Sequence, residues 1–227
     1  MSSFSNITVQ KAIPLPVIVL VDTSGSMSVD GKIDALNNAV KEMVRSMGQQ
    51  ERLKAEIQIS FVTFGGEAEE FNPMTPAYQF EGEPEFQAGG GTPMGHAFNI
   101  AKQIVEDKER IPSRAYRPTI ILISDGHPTD AWKGELEQLL KSERAAKATR
   151  LAMAIGQDAD LNVLKEFVNN PDLPIIKAKD AYDIARFFKC VTMSVTTRSV
   201  QKNPNAEEHE KLLEIFQDEL ADEELEF

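Results

Sequence analysis

The sequence VIVLVDTSGSMS, residues 17–28, joins a run of five apolar residues to an aspartate, a set of hydroxyl residues and a glycine. A short, β-branched apolar run is typical of a strand that is buried on both faces. The residues after it form a tight turn in which Gly25 permits backbone angles that other residues avoid. The stretch therefore predicts a central strand whose carboxyl end presents a cluster of side-chain oxygens.

Four more apolar runs follow the first, at residues 57–64, 119–124, 151–155 and 174–176. Apolar residues at helical spacing lie between them and predict helices over 33–47, 97–105, 134–148, 160–169 and 181–197. This alternation predicts an α/β fold, a doubly wound, mostly parallel six-stranded sheet with helices on both faces. The pair Gly65-Gly66 follows the second strand directly, so residues 65–80 are predicted to form a hairpin into one antiparallel edge strand.

The length and composition favour one large domain. The chain has 227 residues, of which 41% are hydrophobic, enough to bury a sizeable core. We expect a domain over residues 13–200, an N-terminal extension over 1–12 and an acidic amphipathic tail over 201–227. The first apolar run is far shorter than a membrane span, so we expect a soluble, unprocessed chain. Cys190 is the single cysteine, which suits the reducing cytoplasm.

The charge is concentrated in the tail. The formal net charge is −12, and residues 203–227 hold ten acidic residues and one lysine. The remainder is nearly neutral and has no basic face that could neutralise phosphates, which opposes binding to nucleic acid. The same charge opposes binding to anionic membranes.

Three separate polar segments are predicted to meet at one edge of the sheet. Asp22 ends the first strand, Asp125 follows the strand at 119–124, and Thr92 lies in the glycine-rich loop AGGGTPMG, residues 88–95. In such sheets, ligands bind outside the carboxyl ends of the strands where the strand order reverses. With Ser24 and Ser26, these segments supply only hard oxygen donors, which suit Mg²⁺ or Mn²⁺ better than Zn²⁺ or copper.

The three motifs DTSGS (22–26), GGGT (89–92) and ISDG (123–126) occur in this order. With them the sequence resembles the von Willebrand factor A domain family, over about residues 13–198. The resemblance implies a metal-ion-dependent adhesion site (MIDAS) and a domain that binds a partner protein through Mg²⁺. It does not imply catalysis.

By this resemblance, Ser24, Ser26 and Thr92 are direct metal ligands, whereas Asp22 and Asp125 act mainly through water. A partner Glu or Asp is expected to complete the coordination.

We also expect five residues in or beside these loops to contribute to the partner-binding surface. They are Gly25, Met27, Gly91, His127 and Asp130.

Within the family, the segments PLPVIVLVDTSGSMS (14–28) and GKIDALNNAVKEM (31–43) are similar to TerY-type proteins associated with tellurite resistance. This similarity implies a cytoplasmic adaptor in bacterial stress or defence signalling, paired with a serine/threonine protein kinase and a PP2C-type phosphatase. The alternative partner is a MoxR-like AAA+ ATPase.

The alternative from another class is a Mg²⁺-dependent phosphohydrolase in which Asp22 attacks phosphorus. That chemistry needs a second acid two residues later, where this chain has Ser24. The loop at 88–95 also lacks the Gly-Lys-Ser/Thr ending of a Walker phosphate loop, and no G-x-S-x-G hydrolase motif occurs. We therefore expect a protein that is not an enzyme.

The tail contains one amphipathic pattern. Leu213, Phe216 and Leu220 share a helical face, with Leu212 and Ile215 beside it. Four interpretations remain open: a helix packed on its own domain, a solvated tail, a helix that docks into a partner groove, or a source of a Glu for the metal site.

Overall fold

A computed structural model describes residues 12–49, 55–205, 209–219 and 225–226. Strands and helices alternate along the chain, as the apolar runs predicted. The strands are β1 Ile13–Asp22, β2 Ala55–Gly65, β3 Glu67–Pro76, β4 Thr119–Ser124, β5 Thr149–Ile155, β6 Ile175–Ala178 and β7 Leu225–Glu226. The helices are α1 Lys32–Gly48, α2 Met94–Glu106, α3 Trp132–Lys141, α4 Leu161–Val168, α5 Ala181–Val200 and α6 His209–Glu219.

The strands form one sheet in the order β3-β2-β1-β4-β5-β6-β7. Strands β1, β2, β4, β5 and β6 are parallel, and β3 pairs antiparallel with β2 after a tight turn at Gly65 and Gly66. The predicted α/β fold with its antiparallel edge strand is therefore confirmed. The two-residue strand β7 pairs antiparallel with β6 at the other edge, an addition that the sequence did not predict.

The strand order reverses beside β1. From β1 the chain moves outward to β2, whereas from β4 it moves in the opposite direction to β5 and β6. Every residue of β4, and all of β1 after Ile13, is buried, as expected for strands covered on both faces. Val21 lies opposite Ile123, so the carboxyl ends of β1 and β4 lie side by side. Ligands bind at this position in doubly wound sheets.

The helices fall into two groups. Helix α1 contacts α5, and α5 contacts α6, whereas α2 contacts α3. Phe98 of α2 also stacks on Phe167 of α4, with 5.5 Å between the ring centroids. Right-handed crossovers place the two groups on opposite faces of the sheet. Among the described helices, none has the length and apolar character that crossing a membrane requires.

The helix predicted over residues 134–148 is shorter and begins earlier. Helix α3 ends at Lys141, and the 3-10 helix Ala145–Lys147 follows. Ser142 breaks the helix because its backbone is extended and its hydroxyl donates to the carbonyl of Leu139 at 2.8 Å. The side chain of Glu106 then accepts hydrogen bonds from the next backbone N–H groups, which fixes the turn.

Helix α6 of the tail packs against α5. Leu212 and Phe216 are buried, and the Phe216 ring lies 6.2 Å from that of Phe187. Leu213 is only partly buried, which differs from the predicted stripe, and Leu220 lies outside the described residues. The face is centred on Leu212 and Phe216 because these residues, one turn apart, both point at α5. The apolar face of α6 is thus covered by its own domain.

Candidate functional site

Asp22 is held at the carboxyl end of β1 by two neighbours. Its side chain is fully buried. Its Oδ1 atom accepts a hydrogen bond from the backbone N–H of Ser24 at 2.9 Å, and its Oδ2 atom accepts one from the Ser124 hydroxyl at 2.5 Å. Because Ser124 ends β4, the carboxylate is fixed between the two central strands.

Burial raises the pKa of the Asp22 carboxyl group. Hydrogen bonds from Ser124 and Ser24 oppose this effect, and the negative charge of Asp125 adds to it. The charged form of Asp22 is therefore poorly stabilised by the protein alone. A cation placed beside it would stabilise that form and so lower the pKa of the carboxyl group again.

The two serine hydroxyls connect the β1 loop to Asp125. The Oγ atoms of Ser24 and Ser26 lie 3.0 Å apart, and Ser26 donates to Oδ1 of Asp125 at 2.6 Å. Asp125 is 1% exposed. Three of the predicted ligands thus form one continuous chain of hydrogen bonds between loops that are 99 residues apart in the sequence.

The glycine-rich loop brings Thr92 to the same place. Thr92 is buried. Two hydrogen bonds join it to Thr129: the N–H of Thr92 donates to Oγ1 of Thr129 at 2.9 Å, and the N–H of Thr129 donates to the carbonyl of Thr92 at 2.9 Å. A Cβ atom built on Gly126 would lie 3.7 Å from Oγ of Ser26 and 4.0 Å from Oγ1 of Thr92. The hydroxyls of both loops therefore face one spot beside Gly126, and all five predicted ligands are brought together.

Backbone hydrogen bonds hold the loops against each other. The N–H of Gly25 donates to the carbonyl of Gly90 at 3.0 Å, and the N–H of Gly66 donates to the carbonyl of Gly91 at 2.9 Å. The hairpin between β2 and β3 thereby supports the glycine-rich loop, which in turn supports the β1 loop. The positions of the hydroxyl groups are thus set by three connected segments of backbone.

Lys32 is a cation at this site that the sequence analysis missed. Its Nζ atom lies 2.6 Å from Oδ2 of Asp125, while Ser26 occupies Oδ1. The Lys32 side chain is 18% exposed, and that of Asp125 is 0% exposed. No sequence signal marks this contact, because a lysine in the first turn of an amphipathic helix is ordinarily solvated.

The predicted partner-binding residues have different environments. Gly25 and Gly91 lie in the two connected loops, and Gly91 is exposed. His127 is exposed, and its Nδ1 atom lies 3.1 Å from Oδ2 of Asp160. Along the chain, Gly25 lies between Ser24 and Ser26, Gly91 precedes Thr92, and His127 follows Asp125 by two residues.

Met27 and Asp130 differ from the expectation. Met27 is fully buried, because the 3-10 helix Gly25–Ser28 turns its side chain into the core, so it offers no surface to a partner. Both carboxylate oxygens of Asp130 accept hydrogen bonds, from the N–H groups of Gly95 and His96 at 3.0 Å each. Asp130 therefore stabilises the first turn of α2.

The donor set fits a divalent cation that prefers oxygen. It consists of two carboxylates and three hydroxyls, and it contains no nitrogen or sulfur donor. Within the described part of the chain, no group of three or more His, Cys, Asp or Glu side chains could hold a metal ion. Hydroxyls must then supply much of the coordination of a divalent cation at this place.

Comparison with known sequences identifies related proteins. The profile of the von Willebrand factor type A domain matches residues 17–189. Inter-alpha-trypsin inhibitor heavy chain H4 of Sus scrofa is 33% identical over 129 residues, 53% of this chain and 13% of that protein. The magnesium-chelatase 60 kDa subunit of Rhodobacter capsulatus is 27% identical over 172 residues, 74% of this chain and 29% of that protein. The chain spans less than a third of the length of either relative.

Solved structures share the fold. Proximal thread matrix protein 1 from the mussel byssus, solved with a zinc-occupied MIDAS motif, matches with a TM-score of 0.63 and 18% identity, covering 81% of this chain and 48% of that one. The pilus adhesin SpaC from Lactobacillus rhamnosus GG matches with a TM-score of 0.66 and 16% identity, covering 84% of this chain and 31% of that one. At these identities the likeness establishes the architecture alone.

Proposed function

Because the chain belongs to the von Willebrand factor type A domain family, we propose that it is a protein-interaction module that binds an Asp or Glu of a partner through Mg²⁺ or Mn²⁺. The observation that carries the proposal is the convergence of the hydroxyls of Ser24, Ser26 and Thr92 with the carboxylates of Asp22 and Asp125. They meet at the reversal of strand order, where this fold binds ligands.

In this proposal, Ser24, Ser26 and Thr92 are direct ligands, and Asp22 and Asp125 hold the ion through water. Neutral hydroxyl ligands leave a divalent ion electrophilic, so a carboxylate from outside can complete its coordination. Gly91 and His127, which are exposed beside the cluster, would contact the partner around that carboxylate.

We propose an interaction role and not catalysis. If the protein were a Mg²⁺-dependent phosphohydrolase, Asp22 would have to attack phosphorus. Asp22 is fully buried, however, and both of its carboxylate oxygens accept hydrogen bonds. The position two residues later is Ser24, whose hydroxyl contacts Ser26. A hydroxyl there cannot perform the proton transfers of a carboxylic acid at neutral pH.

For the cellular role, we propose a cytoplasmic adaptor in bacterial stress or defence signalling that works with a serine/threonine protein kinase and a PP2C-type phosphatase. This assignment rests on the similarity of residues 14–28 and 31–43 to TerY-type proteins associated with tellurite resistance. A MoxR-like AAA+ ATPase is the alternative partner. Cys190 is buried, which suits a reducing compartment.

The experiment is a quantitative pull-down with mass spectrometry from the native host. The baits are wild type with Mg²⁺, wild type with chelator, and Asp22→Asn with Mg²⁺. The control is Asp34→Asn, the same chemical change at an exposed residue of α1. We expect one kinase, phosphatase or ATPase to be recovered only by wild type and Asp34→Asn with Mg²⁺. Equal recovery by all baits would show that the metal site is not the docking point.

Lys32→Met is expected to increase the affinity for Mg²⁺. The ammonium group lies 2.6 Å from Asp125 and repels a second cation beside the same carboxylate. Removing one positive charge at this distance in a partly buried site should raise the affinity by about tenfold. Isothermal titration calorimetry measures the change.

Lys41→Met is the matched control, because Lys41 lies on the same helix but pairs with Glu83 at 3.4 Å. The Lys41→Met variant should bind Mg²⁺ with the same affinity as wild type. If Lys32→Met instead weakens binding, Lys32 serves to orient Asp125 and does not compete with the ion.

A further inference from the structure

A second candidate site lies at the end of the sheet opposite the proposed metal site, where the parallel strands begin. A cleft of about 290 Å³ opens where β5 begins and where α4 ends. Three of its eleven lining residues are basic and none is acidic, in a chain whose net charge is −12. The lining residues are Arg117, Ala146, Lys147, Ala148, Thr149, Arg150, Val168, Asn169, Asn170, Pro171 and Leu173.

Arg150 is the buried cation of this cleft, with 8% of its surface exposed. Its Nε atom donates to the carbonyl of Val168 at 3.3 Å, and its Nη1 atom donates to three carbonyls of the turn at residues 145–148. Nη2 makes no hydrogen bond to any described residue, and no carboxylate of the described chain pairs with the guanidinium. Arg150 is therefore fixed in place with its positive charge uncompensated.

A buried charge without a counter-charge is costly. The carbonyl at the end of α4 offsets part of this cost through the helix dipole. Burial still lowers the pKa of Arg150, although a guanidinium stays charged at any physiological pH. An anion in the cleft would remove the remaining cost, which gives the site an intrinsic preference for negatively charged ligands.

Further donors line the cleft. Lys147 is exposed and has no ion pair with a described residue. Asn169 follows α4 in a left-handed conformation, with φ of 49°. Neither side chain has to break an existing ion pair before it can bind an anion.

We propose that this cleft binds a phosphate group, either free or carried on a phosphorylated side chain. A dianionic phosphate matches several cations better than a single carboxylate does, and the planar guanidinium suits its oxygens. The site is separate from the metal centre, because Thr149 and Thr119 begin their strands at this edge and Asp125 follows β4 at the other.

The test is a two-dimensional NMR titration of the full chain with inorganic phosphate, phosphoserine and acetate at constant ionic strength. Chelator is present throughout, so the result does not depend on the proposed metal function. In wild type, we expect saturable shifts of the backbone amides at 147–150 and 168–170 with both phosphate ligands.

Two variants and a control make the test specific. Lys147→Ala should weaken phosphate binding by about fivefold, since one cation is lost from an exposed position. Lys133→Ala, which removes an exposed lysine from α3, should leave it unchanged. Arg150→Lys should weaken binding by about tenfold, because the fork of donors is lost. Circular dichroism checks that Arg150→Lys is folded. If Arg150→Lys unfolds, the result for Lys147→Ala decides whether the cleft binds phosphate.

Tighter binding of phosphoserine than of inorganic phosphate supports a protein-borne ligand, and equal binding supports free phosphate. Three outcomes overturn the proposal: no saturation in the millimolar range, equal weakening by Lys147→Ala and Lys133→Ala, or binding of acetate as tight as that of phosphate.

Discussion

Asp22→Asn is expected to weaken divalent-metal binding strongly while the fold remains intact. The amide oxygen of Asn can still accept the hydrogen bond from the N–H of Ser24, and the Ser124 hydroxyl can rotate to accept one from the new amide group. The negative charge that attracts the ion is lost, however. We expect the affinity for Mg²⁺ to fall by about 100-fold, as for groups that hold a metal through an intermediate ligand.

The same variant should be at least as stable as wild type when no metal is present. Burial disfavours the charge of Asp22, and the nearby Asp125 adds repulsion. Asn carries neither cost. Calorimetric titration with Mg²⁺ and thermal unfolding with chelator measure the two effects, with Asp34→Asn as the control. Unfolding of the variant at room temperature would contradict the prediction.

The pH dependence of stability should reveal the raised pKa of Asp22. In the unfolded chain this group titrates near 3.8, whereas in the folded, metal-free protein its pKa is higher. Between these values the folded state binds more protons than the unfolded state, so this group makes the protein more stable as the pH falls. Urea unfolding of wild type and Asp22→Asn at several pH values isolates the contribution as their difference, and a constant difference would argue against it.

Gly90→Ala is expected to disrupt both stability and metal binding. Gly90 has φ of 75°, and a Cβ atom at this position would lie 2.4 Å from Cα of Gly66. The backbones of the glycine-rich loop and the β2–β3 hairpin would have to separate. We expect the free energy of unfolding to fall by about 2–4 kcal/mol, and Mg²⁺ affinity to fall by about tenfold because Thr92 shifts.

Gly89→Ala is the matched control from the adjacent position. A Cβ atom there would meet nothing within 4 Å, and its φ is not in the left-handed region. Urea unfolding and Mg²⁺ titration should give values close to those of wild type. Similar losses in both variants would mean that the loop tolerates no side chain at all, and close packing against Gly66 would not be the cause.

The strands and the converging motifs could be predicted from sequence because both depend on local patterns and on one rule of topology. Asp22 and Asp125 each follow a buried apolar run, and parallel strands end at one edge of a sheet. The large separation of Asp22 and Asp125 along the chain therefore does not prevent the prediction that they lie close together. Thr92 follows no parallel strand, so it was expected beside them only if the glycine-rich loop returns to this edge.

The remaining contacts depend on side chains that reach across the fold. Lys32 and Thr129 carry no distinctive spacing, so their roles at Asp125 and Thr92 appear only in three dimensions. Met27 follows the serine motif and was expected at the surface, but a single 3-10 turn directs it inward. In the tail, the predicted face was Leu213, Phe216 and Leu220, with Leu212 beside it. Packing against α5 instead buries Leu212 and Phe216.

The two edge strands of the sheet influence whether copies of the chain associate through strand pairing. An unpaired edge strand offers its backbone to any extended segment that arrives, which leads to aggregation. On one side, β3 carries exposed Glu67 and Glu69, together with Pro73, which has no N–H to donate. On the other side, the backbone of β6 is already engaged by Leu225 and Glu226. Self-association through added strands is thus opposed on both flanks of the sheet.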